Sequence, residues 1–84
     1  MRKRLKEEMN LELGENEKVM EFVSFCIENF KVKFNMKGKD VANLFYKSGV
    51  IDFLIESYEL LHTQGAEYII SEIQLFLENR GYKL

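Results

Sequence analysis

The feature that most constrains this chain is its punctuation: apolar residues recur every three or four positions, and these runs are separated by short Gly-containing breaks, with no Pro anywhere in 84 residues. That spacing lines one face of a helix, whereas a β domain would need turn signals every 8 to 12 residues or so. The expected fold class is all-α: a compact bundle of about four helices with a short second helix and a marginal or disordered N-terminal arm. The apolar fraction is 46%, with seven Phe and four Tyr, and that much buriable surface offsets the entropy of ordering one small domain.

The breaks divide the chain. Residues 1–14 read as an arm carrying Leu5, Met9 and Leu13 at helical spacing, with Gly14 as a stop signal. Its basic start opposes the helix macrodipole, so alone it would fray. Residues 15–84 read as a single helical domain. Its first helix is expected over Glu17 to Phe34 with Asn16 as N-cap, its stripe being Val19, Phe22, Val23, Cys26 and Phe30. A short helix over Lys39 to Ser48 follows the loop Asn35-Met36-Lys37-Gly38, with Val41, Leu44 and Phe45 inward and Gly49 placed to end it in a left-handed conformation. Val50 to His62 reads as one helix with Ile51, Leu54, Ile55, Tyr58 and Leu61 inward. Ala66 to Asn79 is the last, burying Ile69, Ile70, Ile73, Phe76 and Leu77 before Arg80-Gly81. So many aromatic rings in so small a bundle should leave some exposed, and an exposed apolar patch points to a protein interface.

Composition narrows the setting. The single Cys26 permits no intrachain disulfide, so a reducing, cytoplasmic location is expected. The basic start is not followed by an apolar h-region, and no run of about 18 apolar residues exists, so neither export by that signal nor a membrane span is expected. Net charge is −2, but the charges are segregated: basic residues crowd the start and the Lys31 to Lys39 segment, and acidic residues dominate the second half.

The chemistry available is sparse, and the expectation is no catalytic residue, no cofactor and no metal. Cys26 lies among Phe25, Ile27 and Phe30, where burial keeps a thiol protonated and inert. Glu59 and His62 form an E-x-x-H pair, but carboxylate metal bundles need that pair twice, and the chain has one His. No phosphate loop, CxxC or HExxH is present. The residues least explained by core filling are His62-Thr63-Gln64-Gly65, between two amphipathic helices. As structure, His62 can serve the carbonyl end of a helix, Thr63 and Gln64 can satisfy freed backbone groups, and Gly65 can permit the turn. As function, the four residues with Tyr68 make a candidate partner-binding loop.

Nucleic-acid binding is the alternative. Lys31, Lys33, Lys37 and Lys39 supply a candidate phosphate-binding cluster. Leu44 to Ile55 has the outline of a helix-turn-helix around Gly49, yet Phe45 stands where that motif wants a small residue. The would-be reading helix carries Asp52, Glu56 and Glu59 with no Lys or Arg, which repels phosphate.

The chain resembles a small bacterial family known as domain of unknown function 3791. The resemblance lies in Phe25-Cys26-Ile27-Glu28-Asn29, Gly38-Lys39-Asp40-Val41, Leu44-Phe45, Gly49-Val50-Ile51 and Leu61-His62-Thr63-Gln64-Gly65 with Tyr68-Ile69, and it spans about Asn16 to Gly81. It implies a compact helical domain without known activity. Members of that family are often encoded beside proteins resembling ADP-ribosyltransferases, an arrangement suggestive of toxin and antitoxin pairs. The functional expectation is a noncatalytic interaction module, binding a protein partner or itself as a homodimer, with no membrane association; the alternative is a small helix-turn-helix-like nucleic-acid-binding regulator.

Overall fold

The computed structural model describes the backbone from Arg2 and the side chains from Asn16 onward. Among the described residues there are five helices and no strand: α1 (Arg2–Phe34), α2 (Gly38–Ser48), α3 (Val50–Glu56), α4 (Tyr58–Leu61) and α5 (Ala66–Asn79). The all-α expectation stands. Asn16 lies inside α1 rather than capping it, and the expected stop at Gly14 falls outside the described residues. Whether residues 1–14 behave as a separate arm lies outside the described residues.

The core is the amphipathic pattern realised. Phe22, Val23, Cys26 and Phe30 of α1, Val41 and Phe45 of α2, Val50 and Leu54 of α3, Leu61 of α4, and Ile69, Ile70, Ile73 and Leu77 of α5 form one buried cluster. Phe30 sits at its centre, its ring edge-on to Phe45 at 5.1 Å and tilted on Phe34 at 4.5 Å. These separations and tilts suit aromatic quadrupoles, which favour edge and offset arrangements.

The helix ends follow local rules. α1 closes with Asn35 at φ 54, the Met36 N–H donating to the Lys31 carbonyl (3.0 Å) and the Asn35 N–H to the Val32 carbonyl (3.4 Å). α5 closes in the same way around Gly81 at φ 90, with Tyr82 N–H to Leu77 O and Gly81 N–H to Glu78 O, both 3.0 Å. Both are left-handed caps that satisfy end carbonyls. Gly49, at φ 92, ends α2 and turns directly into α3, as its position in the sequence predicts.

One element differs from expectation. Val50 to His62 is two helices, interrupted at Ser57, whose φ −98 and ψ 9 fall outside the helical well. No Gly or Pro marks the break. The Ser57 carbonyl accepts from both Leu60 and Leu61 N–H (3.0 and 2.9 Å), so it begins a new turn while its own N–H still belongs to the old one (Phe53 O, 2.9 Å). The bend leaves Ile55 exposed instead of inward and brings Tyr58 against Phe22 of α1, edge-on at 5.5 Å.

Candidate functional site

The connector between α4 and α5 is built around His62. It caps α4, and the Tyr58 carbonyl accepts two hydrogen bonds from it: the backbone N–H at 2.9 Å and ring Nδ1 at 2.7 Å. A carbonyl can only accept, so Nδ1 carries the hydrogen of this bond. The imidazole also lies flat on the Tyr58 ring, 4.4 Å between centroids and 11° between planes. Phe22, Tyr58 and His62 thus form a continuous aromatic wedge between α1 and the connector.

The other motif residues take different places. Gln64 N–H donates to Leu61 O at 2.9 Å, but among the described residues neither the Thr63 hydroxyl nor the Gln64 amide hydrogen-bonds to the chain, contrary to the role expected of them. Gly65 is the N-cap of α5 at φ −73, ψ 159, ordinary extended backbone, and a Cβ there would meet nothing within 4 Å. The turn does not need a glycine. Tyr68 is exposed on α5, away from the groove described next.

That groove, about 290 Å³, runs between α1 and the connector, with Lys18, Glu21 and Phe25 on one side and Tyr58, His62 and Gln64 on the other. Phe22 forms its floor, and Phe25, 44% exposed, stands in its wall. A second hollow of about 260 Å³ lies beyond the connector, between Asn29, Val32 and Lys33 of α1 and the start of α5. His62 and Gln64 were readable as candidates from sequence; Lys18, Glu21 and Phe25 were not. Their i, i+3, i+7 spacing marks them as one side of α1, but only the packing shows that this side faces the connector.

The lysine cluster gathers where α1 ends and α2 begins. Lys33, Lys37 and Lys39 are exposed there, whereas Lys31 is half-buried and paired to Glu28 at 3.1 Å. α3, the would-be reading helix, is only seven residues long and exposes Asp52 and Glu56. Cys26 is fully buried, and desolvation pushes its thiol up to about 12, which keeps it protonated and unreactive. Among the described residues no three His, Cys, Asp or Glu side chains converge as a metal site, and no helix is long and apolar enough to cross a membrane.

The sequence over residues 21–80 matches a family described as a protein of unknown function, DUF3791. The chain belongs to the DUF3791 family. The matched span contains the groove walls at Glu21, Phe25, Tyr58, His62 and Gln64 and leaves out Lys18 and the first half of α1. No curated protein and no solved structure matches this DUF3791 chain.

Proposed function

We propose that this DUF3791 protein is a noncatalytic interaction module that holds a partner protein in the groove between α1 and the α4–α5 connector. The observation that carries the reading is one groove lined by exposed Phe25 on one side and the Tyr58–His62 stack on the other, with Lys18, Glu21 and Gln64 at its rim. An apolar floor with a few polar groups at the rim suits a protruding side chain from a partner surface. The only thiol, Cys26, is buried and held protonated, and His62 Nδ1 is engaged by the Tyr58 carbonyl, which favours binding over chemistry for these residues. The partner we favour is the product of an adjacent gene resembling an ADP-ribosyltransferase, with the DUF3791 protein as its antitoxin-like or accessory component in a bacterial cytoplasm.

The test is coexpression with the neighbouring gene product, followed by affinity measurement. Phe25→Ser and Gln64→Ala should each weaken capture about tenfold or more, the loss expected of an interface anchor, while Tyr46→Ser on the exposed face of α2 should not. Capture that survives both groove substitutions removes the reading. A salt-titrated gel shift examines the nucleic-acid alternative, since phosphate-driven binding must weaken steeply as salt rises.

A further inference from the structure

Gly65 is a glycine that its own turn does not require, and it stands where two hollows meet. Its backbone is ordinary extended chain at φ −73 and ψ 159, and an added Cβ would meet nothing within 4 Å. Gln64 before it lines the groove of about 290 Å³, and Ala66 after it lines the second hollow of about 260 Å³. On the facing bank α1 supplies both walls in sequence: Lys18, Phe22 and Phe25 to the first hollow, Asn29 and Val32 to the second. These five follow one another at alternating steps of four and three residues, which keeps them on one line of the helix. The exposed apolar points of that line are Phe25 and Val32, the latter 76% exposed. They lie two helical turns, or about 10.5 Å, apart.

We propose that the two hollows work as one trough and that its occupant is an amphipathic helix of the partner protein, laid along α1 over Gly65 with one apolar side chain in each hollow. This rests on the groove being the protein-binding site argued above and names what that site holds. Spacing favours a helix, because side chains seven residues apart on a second helix are separated by the same distance as Phe25 and Val32. An extended segment would cover that distance with about three residues. Its backbone N–H and C=O groups would then need a partner strand, and among the described residues there is no sheet edge to supply one. A helix satisfies those groups internally. What it needs is close approach, which Gly65 and the small, half-buried Ala66 permit. Charge fits the same occupant. Each end of the trough carries both signs, Lys18 with Glu21 at one and Lys33 with Glu67 at the other. That pattern suits the mixed polar flanks of an amphipathic protein helix and gives no net positive field to hold a polyanion.

The test uses the full chain with the coexpressed neighbouring gene product. Val32→Glu and Gly65→Leu should each weaken capture about tenfold or more, as Phe25→Ser does, because all three positions lie under one helix. Both new positions are exposed, so urea midpoints close to the parent's separate lost binding from lost fold. Geometry is read by crosslinking. Phe25→Cys and Val32→Cys chains, each alkylated with benzophenone maleimide, are photolysed in the complex and the attachment points mapped by mass spectrometry; buried Cys26 does not compete. The two points should fall about seven residues apart in one segment of the partner. Points about three residues apart mean an extended occupant, points in separate segments mean two unrelated contacts, and either result overturns the proposal. So does capture that falls with Phe25→Ser but is indifferent to Val32→Glu, an outcome that leaves the interaction module standing with a smaller site. Capture indifferent to all three substitutions removes the groove as the binding site, and this inference with it.

Discussion

Tyr58 and His62 lie one helical turn apart with their rings stacked at 4.4 Å, and the Tyr58 carbonyl accepts from His62 Nδ1 at 2.7 Å. One residue thus terminates α4 twice, by its backbone and by its ring. His62→Ala removes the stack and the ring hydrogen bond together and should cost about 1 kcal/mol, the low end of the two effects combined because the site is exposed. His62→Phe keeps the stack and loses only the donor, so its urea midpoint should fall between those of the parent and the alanine variant. Equal midpoints for Ala and Phe would show that the ring contributes nothing beyond its hydrogen bond.

Burial of Cys26 makes an alkaline limit. The folded thiol titrates at about 12, above its ordinary 9.0. Below 9 both folded and unfolded chains hold the proton and stability is complete; between 9 and 12 only the unfolded chain releases it. Stability from this group should therefore fall as pH rises through that window, by about 1.4 kcal/mol per unit in the limit. Chemical denaturation of the parent and of Cys26→Ala across alkaline pH isolates the effect, since the variant lacks that slope although it begins less stable from the cavity. Thiol reagents at neutral pH should label the parent only as fast as it unfolds.

Much of this fold is written in spacing. The stripe Val19 to Phe30, the left-handed end at Gly49 and the span of α5 from Ala66 to Asn79 follow from apolar period and capping residues. The Ser57 break is not legible, because its φ and ψ suit many residues and it accompanies the packing of Tyr58 on Phe22, a pairing between residues far apart in sequence. Asn16 is misread for the opposite reason: it is a good local N-cap residue, yet it lies inside α1. His62 and Gln64 announce the groove, but its α1 wall depends on which side of a broadly apolar helix turns toward them.

Phe30 contacts two other rings and has no exposed surface. Phe30→Ala should cost about 3 to 5 kcal/mol, against a total of roughly 4 to 13 kcal/mol for a domain of this size. The variant should be largely unfolded or melt far below the parent by circular dichroism. Tyr46→Ala, removing a ring that is 80% exposed, should change stability by less than about 0.5 kcal/mol. A small effect at Phe30 would mean the bundle can collapse around the missing ring.

Gly49 and Gly65 separate a glycine the backbone requires from one it does not. At Gly49, φ 92 holds the left-handed conformation that joins α2 to α3, and Ala there should cost about 1 to 2 kcal/mol. The added Cβ would lie 3.8 Å from the Phe76 ring, ordinary contact, so the penalty is conformational rather than steric. Gly65 sits at φ −73, ψ 159 with open space around it and caps α5 without a side chain. Ser at that position can accept a hydrogen bond from a free N–H of the first turn and restricts the unfolded chain, so Gly65→Ser should stabilise by a few tenths to about 1 kcal/mol. Paired denaturation curves test both signs. If Gly65→Ser stabilises the fold as expected while partner capture falls, the absent side chain at residue 65 serves the approach of another molecule rather than the fold.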